Sequence, residues 1–133
     1  MMNSKVVLVT SAVVLLAAGL VLNFAPDETA VWLGAPPSPV VSTILQVLAA
    51  SLLGMGFLNY FSRANIMGGI YGRPLALGNL LLFAISAIVL GRGAHGSTVL
   101  LVAAAVSAIL ALAFAWRIFF ADPVAEQETG AKK

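Results

Sequence analysis

The chain has 133 residues, 61% hydrophobic and only 9% charged, and its mean hydropathy of +1.04 lies far outside the range of soluble domains. Its net charge of +2 and isoelectric point near 9.4 do not point to nucleic acid, because the basic residues are scattered rather than gathered on one face. With no cysteine in the chain, disulfide exchange, thiolate metal sites and quinone-linked thiol oxidation are excluded.

Four apolar stretches, residues 5–24, 40–61, 74–90 and 97–120, are each long enough to cross a hydrocarbon core of about 30 Å as helix. They predict an all-α polytopic membrane protein, with one domain over residues 1–121 holding four transmembrane helices in an antiparallel up-down bundle. Lys5 before an apolar run, with Ala17, Ala18 and Ala25 near its end, also has the outline of a signal peptide. The run exceeds the usual signal core and no clean small-x-small site ends it, so a retained helix is expected.

After the first span, Pro26, Asp27, Glu28 and Thr29 form a helix start, with acidic residues where backbone N–H groups are unpaired. A short outer helix through Trp32 is predicted, ended by Gly34, and the Pro36, Pro37, Pro39 cluster imposes an extended approach to the second span. The second connection, residues 62–73, is glycine-rich with Gly68, Gly69 and Gly72, and leads into Pro74, a residue favoured in a first helical turn. The third, Gly91 to Gly96, is short and carries Arg92 and His95. From Asp122 and Pro123 onward, a tail with Glu126, Glu128 and two closing lysines has nothing to bury and is expected to be a disordered, polar, cytoplasmic segment over residues 122–133.

Four spans place the N-terminus, the second connection and the C-terminus on one side. That side holds Lys5, Arg63, Arg73, Arg117, Lys132 and Lys133, six of the seven basic residues, against Arg92 on the other. The positive-inside rule then predicts that both termini are cytoplasmic and that Asp27 and Glu28 face outward.

No acidic residue lies inside a span, which speaks against a proton-coupled exporter whose carboxylate alternates between proton and substrate. The polar side chains that enter the spans are amides and hydroxyls: Gln46 with Ser42 and Thr43 toward the outside, Ser51 and Ser86 deeper, Asn59 and Asn79 near the cytoplasmic end. In an antiparallel pair of helices, residues at equal depth have numbers with a constant sum. Arg63 with Arg73, Asn59 with Asn79 and Ser51 with Ser86 keep that sum nearly constant, so the second and third spans match these residues in depth, though not necessarily in contact. Gln46, Ser51, Asn59, Asn79 and Ser86 serve either as interhelical glue or as the polar lining of a ligand pocket, with glue the expected use.

Ala50, Gly54 and Gly56 on the second span, and Ala103 with Ser107 and Ala104 with Ala108 on the fourth, are small residues at the spacing of close helix packing, within the chain or against a second copy. Trp116, Arg117, Phe119 and Phe120, with Tyr60, Phe61 and Tyr71, form an aromatic belt at the cytoplasmic surface. Arg63, Arg73 and Arg117 are candidates for lipid headgroup contact there. His95 has no second histidine or nearby carboxylate in sequence to complete a metal site. No cofactor is expected, and the bilayer is the first partner.

The Phe24, Ala25, Pro26 step that ends the first span, the stretch from Leu52 to Tyr60 that closes the second, and the Leu77, Gly78, Asn79 step of the third resemble the small four-helix bacterial membrane proteins grouped around DoxX-like and uncharacterised families. The resemblance implies a fold and a place in the cell (inner) membrane rather than catalytic residues. The expected function is a structural or accessory membrane protein that packs against a partner membrane protein or against itself. The alternative is a binding or transport module for a lipophilic small molecule or lipid between the helices. An enzyme is the weakest reading, because general acid and base work needs groups of tunable pKa that the spans do not offer.

Overall fold

The computed structural model describes residues 3–64, 70 and 72–120, and among these it is all-helical. Helix α1 spans Ser4–Phe24, with the Asn3 side chain accepting from the Lys5 N–H at its start. The short α2, Pro26–Trp32, opens with proline at its first position and has Asp27 and Glu28 in its first turn, and Gly34 at φ 78° turns the chain away. Helix α3, Pro39–Phe61, is capped by Ser38, whose hydroxyl accepts from the Val41 N–H, and runs into a 3-10 turn at Ser62–Ala64. Helix α4 spans Gly72–Gly93 and α5 spans Thr98–Phe119, the latter with Ser97 as its cap.

Helices α1, α3, α4 and α5 are each long and apolar enough to cross a membrane. The expected third connection is shorter than the glycines suggested, because α4 continues through Gly91, Arg92 and Gly93. A helical glycine costs only about 1 kcal/mol relative to alanine, so α4 tolerates both; a Cβ on Gly91 would make an ordinary contact at 4.0 Å with the Ala104 Cβ of α5, and one on Gly93 would meet nothing within 4 Å. The turn itself is made by His95 and Gly96, both at positive φ. Gly68, Gly69, Tyr71 and the tail from Asp122 lie outside the described residues.

Two pairs of helices build the molecule: α1 lies along α3, and α4 lies along α5. In the first pair, Asn23 meets Gln46, Gly19 meets Ala49 and Leu53, Leu15 and Leu16 meet Gly56, and Ser11 meets Asn59. Glycine is required where backbones approach this closely: a Cβ on Gly19 would stand 3.1 Å from the Ala49 carbonyl oxygen. Lipid is as apolar as leucine, so close packing and polar bonds, not a hydrophobic drive, hold such helices together.

The pairs meet in a core of Val7, Leu8, Leu15, Ala76, Phe83, Leu110, Ala111 and Phe114, with the Phe83 and Phe114 rings stacked at a centroid distance of 6.0 Å. This core is off-centre. The buried residues of α4 are Gly72, Ala76, Asn79 and Phe83, and those of α5 begin only at Ser107. Large apolar side chains such as Val47, Leu81, Ile85, Ile109 and Leu112 cover the outside, an exterior suited to helices long and apolar enough to cross a membrane.

Candidate functional site

The most concentrated polar chemistry inside the bundle is a cluster of Ser11, Asn59 and Asn79, all with no exposed surface. Three helices supply it: α1 gives Ser11, α3 gives Asn59 two residues before its end, and α4 gives Asn79 two turns after its start. Asn59 Nδ2 donates to Asn79 Oδ1 at 2.7 Å, and Asn79 Nδ2 donates back to Asn59 Oδ1 at 2.7 Å. Asn59 Nδ2 also donates to Ser11 Oγ at 2.9 Å, and that hydroxyl donates to the Leu8 carbonyl at 2.9 Å. The second N–H of Asn79 goes to the Leu75 carbonyl at 2.9 Å.

Each primary amide has two N–H donors, and here all of them are used. The orientation is determined by the surroundings: exchanging N and O on Asn79 would set its oxygen against the Leu75 carbonyl, an unfavourable pairing of two acceptors. Buried polar groups without partners lose their hydration with no compensation, and this cluster avoids that loss without water or ligand.

A second buried polar contact lies at the same end of the bundle. Arg117, in the last turn of α5, donates from Nη2 to Ser4 Oγ at 2.7 Å, and both residues are buried. A cation is favourable beside the unpaired carbonyls of a helix C-terminus. Arg63 has a different setting: it is half-buried, its guanidinium lies 4.2 Å from the Tyr60 ring centroid, and Nη1 donates to the Tyr60 carbonyl at 2.8 Å. Arg73 is exposed. Of the three arginines considered for lipid headgroups, Arg117 thus points into the protein.

The other nominated polar residues are not brought together. Gln46 is exposed and its Nε2 donates to the Asn23 carbonyl at 3.4 Å, near the end of α1 where carbonyls run out of intrahelical donors. Ser51 is exposed and returns its hydroxyl to the Val47 carbonyl of its own helix, while Ser86 is half-buried on α4. Depth matching therefore yields one contact, Asn59 with Asn79. Among the small residues, Gly56 lies against Leu15 and Leu16 and Ala104 against Gly91, Ala108 is half-buried, and Ala50 and Gly54 are exposed, with open space where a Cβ on Gly54 would stand.

Sequence reasoning passed over Ser4 and Ser11. The constant-sum rule that matched Asn59 with Asn79 would have found Ser11 if applied to the first and second spans, since Asn23 with Gln46 and Gly19 with Leu53 keep nearly the same sum as Ser11 with Asn59.

A shallow apolar depression of about 290 Å³ opens at the start of α3 between Pro39, Val40, Thr43 and Ile44, away from the amide pair. Nearby, the Ser42 hydroxyl donates to the Asp27 carboxylate and ties α2 to α3. Among the described residues, no three His, Cys, Asp or Glu side chains gather as metal ligands. No protein-family model, no curated protein and no solved structure matches the chain.

Proposed function

We propose that the protein is a structural or accessory integral membrane protein, a bundle that packs against a partner membrane protein or a second copy of itself and is not an enzyme. The observation that carries this reading is the reciprocal Asn59–Asn79 pair with Ser11: the amides deepest in the bundle have every N–H bonded to protein, leaving no free donor to orient a ligand. Gln46 and Ser51 are likewise bonded to backbone carbonyls. A binding module for a lipophile calls for an apolar cavity with a few convergent, available polar groups.

In this reading the four spans run up and down as an antiparallel bundle in the cell (inner) membrane. The contact pairs of α1 with α3 support it, since their residue numbers rise on one helix as they fall on the other. Both termini are cytoplasmic, supported by Lys5, Arg63, Arg73 and Arg117 on that side against Arg92 on the opposite one. The likeness to the DoxX-like group belongs to the same proposal.

Native mass spectrometry of the protein, extracted gently from its own membrane, tests the reading. A defined homo-oligomer or a stoichiometric protein partner, with no small-molecule adduct, is the expected result. A stoichiometric small molecule that disappears in the Asn59→Ala/Asn79→Ala variant would replace it with the binding-module reading.

A further inference from the structure

Among the described residues, the polar bonds that join the two helix pairs all lie at one end of the bundle. Asn59–Asn79 links α3 to α4, and Ser4–Arg117 links α1 to α5. All four residues lie within two turns of the helix ends nearest Ser4 and Phe119. Within each pair, by contrast, contact continues to the far end, through Gln46 with Asn23 in one and Gly91 with Ala104 in the other.

Burial follows the same asymmetry. None of the last ten residues of α4 and none of the first nine of α5 is buried, a length of about 15 Å of each helix at 1.5 Å per residue. The shared core also stops short of that region. In these stretches α4 and α5 thus carry half-buried and exposed apolar side chains, which lipid chains solvate as well as protein does.

We propose that the bundle is a hinged clamp: the α1–α3 pair and the α4–α5 pair are held together at the Asn59–Asn79 and Ser4–Arg117 end, and separate and close at the opposite end as two rigid bodies. Each pair is internally continuous and moves as a unit. The hinge is the polar end, because breaking buried polar bonds inside a membrane is unfavourable while exchanging apolar protein contacts for apolar lipid contacts is nearly neutral. Hinge closure of this kind uses a fixed end and a free end rather than a deformable core.

The absence of native cysteine permits a direct test by double electron–electron resonance on the full chain in phosphatidylcholine nanodiscs. Spin labels on Val47→Cys/Val89→Cys report the far end, and labels on Leu58→Cys/Leu77→Cys report the clasped end; all four positions are exposed on the bundle surface. The expected result is a single narrow distance for the clasped-end pair and more than one distance for the far-end pair. Narrow single distances at both ends would overturn the hinge in favour of a rigid bundle. Broad distributions at both ends would overturn it too, because the clasp would not be holding.

Discussion

Asn59 and Asn79 stand on different long apolar helices and hold each other by two reciprocal amide bonds of 2.7 Å, fully buried. Two amides arranged this way satisfy each other's carbonyls, and the remaining N–H groups turn to Ser11 and to the Leu75 carbonyl. Removing one partner leaves the other with a buried carbonyl and an N–H facing hydrocarbon.

That relationship sets the first expected outcome. Asn59→Ala and Asn79→Ala should each destabilise the fold by roughly 0.6–2 kcal/mol, the range for polar pairs between membrane helices. The double variant should cost clearly less than the sum, because the second substitution removes a group the first has already stranded. Reversible unfolding in mixed micelles measures the cycle, and strictly additive losses would show that the two amides do not act as a unit.

The glycines of α3 should separate sharply. A Cβ at Gly56 would stand 2.9 Å from Leu16 Cγ and 3.3 Å from Leu15 Cβ, while a Cβ at Gly54 would meet nothing within 4 Å. Gly56→Ala is therefore expected to push α1 away and lower stability by about 1–3 kcal/mol, as overpacking does. Gly54→Ala should leave monomer stability unchanged or slightly raised. Equal losses from both substitutions would refute this account of the α1–α3 contact.

The arginines at the same end should also differ. Ser4→Ala removes a buried bond to a guanidinium and is expected to lower stability by about 1.5–3 kcal/mol. Tyr60→Leu takes away the ring beneath the half-buried Arg63 and should cost no more than about 1 kcal/mol. Thermal unfolding of both variants in one detergent tests the order, and a larger loss from Tyr60→Leu would contradict it.

Orientation offers a further measurement. Replacing Arg63, just after α3, and Arg73, in the first turn of α4, by Gln takes two charges from that end of the bundle, and a fraction of the molecules should insert with reversed topology. Reporter fusions at the C-terminus would record the reversal. If instead the topology held while retention of anionic lipid fell, the two arginines would be assigned to headgroup binding rather than orientation.

The existence and approximate limits of the four long helices, and the short helix from Pro26 to Trp32, were legible in the sequence. Hydrophobic length and capping residues are properties of the chain read along one dimension, and they suffice to say where helix starts and where it stops. Both ends of α4 lie beyond the expected limits, at Gly72 and Gly93 instead of Pro74 and Leu90, because glycine costs a helix only about 1 kcal/mol and does not by itself end one. Depth was legible too, and it matched Asn59 with Asn79. What depth leaves open is the rotation of each helix about its axis, and that decides contact: the same arithmetic matched Ser51 with Ser86, which the structure leaves apart. Rotation, the choice of α1 as the partner of α3, the inward turn of Arg117 toward Ser4 and the one-sided core all depend on how side chains from distant parts of the chain interlock. Those are relations among helices, and only tertiary packing decides them.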